Sequence, residues 1–179
     1  MKKCFVCVAV LVFLAMMSTS LSAINFFVNV GYSVSDIKGV FFDAGAEIKV
    51  AGNFYAQFLF DYYFNPGGEE FTKTYGKIFD DSAYGFNLYG MFKFKTSEKL
   101  RLFVKGGVHY TTVRLQADFL GTVIALEDSD FGFGGGAGLE YSIAKKVALV
   151  LGATAKTASG EDVTTNWFKF YGGVNVRLN

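Results

Sequence analysis

The sequence has little of what most metal, redox and catalytic sites need. Its 179 residues include one histidine and two cysteines, and both cysteines, Cys4 and Cys7, lie near the start of the chain. The region beyond them therefore offers no disulfide and no cysteine–histidine metal site. Only 18% of the residues are charged, against roughly 25% in soluble domains. The formal net charge of +1 gives no reason to expect a nucleic-acid partner.

Long apolar runs are also scarce, and the one at the beginning indicates a secretory signal peptide over residues 1–23. Lys2 and Lys3 precede an uncharged apolar run that ends at Met17, and small polar residues then lead to Ala23. This run is too short to span a membrane with margin. We therefore predict export through the inner membrane and cleavage after Ala23. Cleavage at Ser20 or Ser22, and an uncleaved anchor helix, are the alternatives.

The remaining chain, residues 24–179, alternates between apolar and polar residues with the period of a β-strand. One face of each segment carries no charge, whereas the opposite faces carry twelve charged residues. Short and long connections also alternate, as they do in outer-membrane barrels. The sequence thus predicts one domain, an all-β, eight-stranded antiparallel up-and-down transmembrane β-barrel with short periplasmic turns and longer extracellular loops. Its predicted strands are Ile24–Ser35, Phe42–Val50, Phe54–Phe64, Tyr84–Lys95, Leu100–Tyr110, Phe131–Ile143, Val147–Lys156 and Trp167–Leu178.

A soluble barrel with its apolar face inward would show the same alternation. The interior of an eight-stranded barrel is only just wide enough for side chains to fill it. The apolar face carries most of the phenylalanines, whereas the polar face carries small residues such as Gly132, Gly134, Gly136 and Gly138. Because small residues suit the crowded concave side, we expect the apolar face to contact lipid.

The chain resembles the small outer-membrane barrels of the OmpA/OmpX type. Residues 171–178, with the sequence YGGVNVRL, are similar to the C-terminal assembly signal of that class, although a terminal Phe is lacking and Asn179 follows. The resemblance implies an outer-membrane location in a Gram-negative cell envelope, contact with outer-membrane lipid, recognition of the last strand by the barrel-assembly machinery, and a monomer. It also implies an extracellular partner for the loops.

Charged residues on the inward face suggest a closed lumen. Counted from the short turns, Glu47, Lys93, Lys105 and Glu140 fall about one layer above the periplasmic rim. Unpaired charge in a narrow lumen is costly. We therefore predict a salt-bridge plug that joins the two glutamates to the two lysines, similar to that of OmpA-type barrels.

The connection over residues 111–130 continues the inward apolar pattern on both of its sides. A hairpin turning at Gly121 and Thr122 would stand above the membrane with an apolar inner face. This face could be a lid, a partner surface or an entry for apolar molecules, or it could pack on Phe71, Tyr75, Ile78 and Phe79. The residues of the predicted apolar surface are Val113, Leu115, Phe119, Ile124 and Leu126.

Two classes of function follow, and neither needs a cofactor. The first is a non-enzymatic surface or structural protein of the outer membrane. The second is a narrow channel or binder for small hydrophobic molecules, which would use the inward aromatic residues Tyr55, Tyr63, Tyr89, Phe103 and Tyr171. A lipid-modifying enzyme is the third interpretation, but its only histidine, His109, has Thr111 beside it and no placed carboxylate.

Overall fold

The computed structural model describes residues 24–64, 77–119, 122–159 and 164–178, and these form a closed antiparallel β-barrel. Each strand pairs with the next, and β1 pairs with β8 to close the sheet. The predicted fold is confirmed, while the predicted signal peptide lies outside the described residues. Over the described ranges, no helix has the length and apolar character needed to cross a membrane. The strands are β1 Ile24–Ser35, β2 Gly39–Ala51, β3 Phe54–Phe64, β4 Lys77–Lys95, β5 Leu100–Phe119, β6 Thr122–Ser142, β7 Val147–Ser159 and β8 Thr164–Arg177.

The two faces of the barrel wall have opposite character. Val28, Phe86 and Phe133 on the outward face are 56%, 59% and 63% exposed, whereas the inward Asp61 and Lys169 are 0% and 1% exposed. Buried charge inside and exposed phenylalanine outside is the inverse of a soluble protein. The arrangement suits hydrocarbon, because a closed sheet pairs its backbone groups and presents apolar side chains to lipid.

Three neighbouring strands extend beyond the others at the end of the long connections. The pairing of β5 with β6 continues to Phe119 opposite Thr122, and β4 follows β5 as far as Lys77 opposite Asp118. The sequence pattern predicts a loop here because the outward residues of β5 above Tyr110 are polar, namely Thr112, Arg114 and Gln116, so the lipid-facing pattern ends at Tyr110. The predicted hairpin is present in the backbone pairing, as the extension of β5 and β6.

Glycines on one wall of the lumen accommodate rings from the opposite side. A Cβ atom on Gly132 would lie 2.7 Å from Nε2 and Cε1 of His109. A Cβ atom on Gly138 would meet the ring of Phe103 just as closely. The glycine-rich face of β6 therefore creates the space into which these buried rings pack.

Candidate functional site: the barrel lumen

A lower ion cluster lies near the short-turn end of the lumen and consists of Glu47, Lys93 and Glu140. Nζ of Lys93 donates to Oε1 of Glu47 at 2.5 Å and also to Oε1 of Glu140. All three side chains are at most 3% exposed. The amides of Asn25 and Asn175 donate to the same two carboxylate oxygens at 2.5 and 3.1 Å. The lysine is thus shared between two carboxylates that lie on different strands.

Lys105 is not part of this cluster, so the predicted four-residue salt-bridge network is wrong for this residue. Its Nζ donates to Oε1 of Gln57 at 3.3 Å and lies 5.0 Å from the ring centroids of both Tyr89 and Tyr171. The strand register gives the reason: Lys93 is opposite Phe103, and Lys105 is two residues further from the turn. Lys93 is the third residue from the end of β4 and Lys105 is the sixth residue of β5, so the predicted layer of Lys105 is one layer too close to the turn.

An upper ion cluster lies above Lys105 and was not predicted from the sequence. It consists of Asp43, Asp61, Lys156 and Lys169, all of them nearly inaccessible to solvent. Nζ of Lys169 lies 3.2 Å from Oδ2 of Asp43 and 3.1 Å from Oδ2 of Asp61. Lys156 also donates to Oδ2 of Asp61. Two aspartates directly opposite each other in β2 and β3 are therefore held together by lysines from β7 and β8.

Neutral donors complete the hydrogen bonds of the upper ion cluster. Asp61 accepts from the amide of Asn87 at 2.7 Å and from the hydroxyl of Tyr63 at 3.0 Å. Asp43 accepts from the amide of Asn29 at 2.6 Å. Each carboxylate oxygen of the two aspartates thus has a donor, which offsets the cost of burying the charge.

An apolar cap covers the upper ion cluster on the side of the long connections. It is formed by Ile37, Phe41, Tyr63, Val113, Ala158 and Trp167. Ile37 belongs to the connection between β1 and β2 and is only 4% exposed, and its carbonyl accepts a hydrogen bond from Ser33 Oγ. The ring of Phe41 lies 4.1 Å from Nζ of Lys169. The first connection therefore folds inward and separates the buried charges from solvent.

His109 lies within the same buried interior. Nδ1 of its ring is 3.0 Å from Oγ1 of Thr111, and the edge of its ring meets that of Trp167 at a centroid distance of 5.2 Å. The side chain is 1% exposed. The side chain that hydrogen-bonds to it is a threonine, and among the described residues no aspartate or glutamate forms a hydrogen bond or ion pair with the ring. The arrangement is that of a packed histidine.

The predicted apolar hairpin surface is only partly described. Val113 is half-buried and packs against the inner core, whereas the side chains of Leu115, Phe119, Ile124 and Leu126 lie outside the described residues. The backbone register nevertheless sets Leu115 opposite Leu126. Below the hairpin, the inward aromatic residues fill the lumen: Tyr55, Tyr63, Tyr89, Phe103 and Tyr171 are each no more than 9% exposed.

Residues 5–177 match the family described as outer membrane protein beta-barrel domain. Among solved structures, the chain is similar to Neisserial surface protein A (NspA), with 14% identity, a TM-score of 0.62, and 86% of this chain and 95% of that chain covered. It is also similar to the N-terminal β-barrel domain of OprF from Pseudomonas aeruginosa, with 11% identity, a TM-score of 0.64, and 88% and 98% covered. A major outer membrane protein from Thermus thermophilus gives 13% identity and a TM-score of 0.59, with 87% and 98% covered. No curated protein matches the sequence.

Proposed function

The chain belongs to the outer membrane protein beta-barrel family, and from this premise we propose that it is a non-enzymatic surface or structural protein with a plugged lumen. The observation that carries the proposal is the succession of closed layers across the barrel. From the short turns outward these are the lower ion cluster, the aromatic layer around Lys105, the upper ion cluster and the apolar cap.

The plug would oppose ion flow in two ways. A permeating ion must separate buried ion pairs, and removing one partner of such a pair costs roughly 3–5 kcal/mol. It must also pass the apolar cap, where Phe41, Tyr63 and Trp167 are at most 1% exposed and offer little to replace a hydration shell. These features support a barrel that stabilises the envelope or displays loops, rather than one that conducts.

Conductance in planar lipid bilayers tests the plug. We expect the refolded wild-type barrel, its folding verified by heat-modifiable migration, to give no large, steady conductance. Lys156→Met, which leaves Asp61 short of a cation, should raise the frequency of brief openings. Arg114→Gln is the matched control, because its ion pair with Glu127 is 2.9 Å long but lies outside the lumen, with both side chains 52% exposed. A large, steady wild-type conductance would refute the proposal.

The absence of catalysis is proposed from the surroundings of His109. Nucleophilic catalysis needs a base that is oriented by a third group and reached by substrate. His109 contacts Thr111 and Trp167 inside the filled lumen. We expect His109→Ala to leave the lipid A and phospholipid profiles of the host membrane unchanged, as measured by mass spectrometry. A change in either profile, with normal barrel levels, would contradict the proposal.

A narrow channel or binder for small hydrophobic molecules is the second candidate. The observation that favours it is Val113, which joins the predicted apolar face of the hairpin to the inner core. Saturable binding of an apolar fluorophore to wild type and Arg114→Gln, but not to Val113→Asn, would support this candidate. Equal binding by all three proteins would count against it.

The partners that we propose follow from the same architecture. The outward residues contact outer-membrane lipid, and β8 presents the C-terminal pattern to the assembly machinery. We also propose that the barrel is a monomer and that an extracellular partner binds the long connections.

A further inference from the structure

Four inward positions lie at one level beside the lower ion cluster. In the strand register, Asn29 of β1 is opposite Gly173 of β8, Gly173 is opposite Val150 of β7, and Val150 is opposite Glu140 of β6. Gly173 contributes no side chain to this row. A small cavity lies here, lined by Asn29, Val150 and Glu140 together with Tyr171 and Asn175. It offers about 10 Å³ to the centre of a water molecule, about the space that one water needs.

The amides around this cavity are oriented by neighbouring carboxylates. Nδ2 of Asn29 donates to Asp43 at 2.6 Å, and Nδ2 of Asn175 donates to Glu140 at 3.1 Å. Because the nitrogen of each amide donates to a carboxylate, the amide oxygen remains available to accept a hydrogen bond. Oδ1 of Asn29, Oδ1 of Asn175 and Oε2 of Glu140 accept no hydrogen bond from any protein group in the described ranges. All three side chains are at most 5% exposed.

The charges near the cavity decide which ligand suits these acceptors. An anion is excluded, because three oxygen acceptors would repel it. A cation gains little, because Lys93 already bridges Glu47 and Glu140, and Nη2 of Arg177 lies 3.8 Å from the free Oε2 of Glu140. A water molecule donates two hydrogen bonds without adding charge, and the hydroxyl of Tyr171, which also has no protein partner there, can donate one to it.

We propose that this cavity is a binding site for a single ordered water molecule, which donates to Oδ1 of Asn29 and Oε2 of Glu140 and accepts from the hydroxyl of Tyr171. A buried water typically makes about three hydrogen bonds to groups that the protein leaves unpaired, and this site offers that number. The water completes the hydrogen bonding of the lower ion cluster. Gly173 gives Oδ1 of Asn29 its room, because a Cβ atom on this glycine would collide with that oxygen.

Magnetisation transfer from water to the methyl groups of Val150 tests this site. We expect refolded wild type in detergent micelles to show a nuclear Overhauser cross-peak between water and Val150, with the sign of a long-lived complex. Asn29→Leu should lose the cross-peak. Asn25→Leu is the matched control: it also removes an inward amide of β1 that donates to a carboxylate, but Asn25 does not line the cavity. Tyr171→Phe should retain the cross-peak, which excludes relay through the hydroxyl proton.

The other outcomes are equally decisive. A wild-type barrel without the cross-peak, or Asn29→Leu with an undiminished one, would overturn the proposal. A change in the Val150 methyl shifts when sodium chloride is replaced by choline chloride would assign the cavity to a cation and overturn it as well. Should Asn29→Leu fail to fold, Val150→Ile fills the cavity by one methylene, and the isoleucine δ-methyl should then show no contact with water.

Discussion

Replacing Lys93 with methionine removes the ammonium group that Glu47 and Glu140 share. The two carboxylates are at most 3% exposed, so bulk solvent does not replace the charge of the lysine. The amides of Asn25 and Asn175 remain but carry no charge, and the guanidinium of Arg177, the other cation that pairs with Glu140, is 3.8 Å away. Uncompensated burial of this kind costs roughly 3–5 kcal/mol. The folding equilibrium constant should therefore fall by at least about two orders of magnitude.

Reversible denaturant unfolding of the barrel in lipid vesicles measures this cost. Because the penalty comes from the stranded carboxylates, the triple variant with Lys93→Met, Glu47→Gln and Glu140→Gln should regain at least half of the loss. Arg114→Met, which breaks the exposed pair with Glu127, should cost no more than about 1 kcal/mol. The reasoning is refuted if Lys93→Met is as stable as Arg114→Met, or if the triple variant is no more stable than Lys93→Met.

Three further predictions concern the barrel wall and its outer end. Gly132→Ala should destabilise the barrel by about 1–3 kcal/mol in the same assay, through overpacking against the carbonyl of Thr157 and the ring of His109. Gly106→Ala, whose new methyl has its nearest heavy atom at 3.9 Å, should change little, and equal effects would contradict the packing argument. Val104→Arg, on the outward face near the middle of the lipid-facing part of β5 (Leu100 to Tyr110), should cost about 2–4 kcal/mol in lipid, and a cost near zero would argue against lipid contact there. Asp36→Ala removes a 2.6 Å hydrogen bond to a backbone amide of β8. This change should cost about 0.5–1.5 kcal/mol and speed hydrogen exchange of that amide, so unchanged exchange would contradict the contact.

The fold could be predicted because one face of the barrel wall contacts lipid and the other face lines the lumen. Lipid excludes charge from every outward position, so the alternation survives along β1, β3 and β8 without help from tertiary contacts. Above Tyr110 the outward residues of β5 become polar while the inward residues, such as Val113, stay apolar, so the lipid-facing pattern ends there although the period of two continues. The extension of β5 to Phe119 rests on its pairing with β6, which alternation alone does not encode.

The lumen could be predicted only in part because its contacts run across strands. Inward charges are visible in the sequence, and Glu47, Lys93 and Glu140 do meet. Lys105 is placed one layer too low by the prediction, because Phe103 and not Lys105 is the residue of β5 opposite Lys93. The upper ion cluster joins Asp61 to Lys156, which lie on strands that are far apart in sequence and face each other only in the closed barrel. Combining the inward positions of each strand with the register between neighbouring strands would have predicted this cluster.

The pairing of β1 with β8 also dictates the order of biogenesis. Asn25 is opposite Arg177 and Ser35 is opposite Trp167, so the first strand to emerge during synthesis waits for the last one. Until β8 arrives, β1 and β7 each present a row of unpaired amides and carbonyls, which hydrocarbon does not tolerate. Membrane insertion and sheet closure must therefore finish together. We expect a chain that stops before residue 164 to leave β1 and β7 without their partner strand and to form no closed barrel.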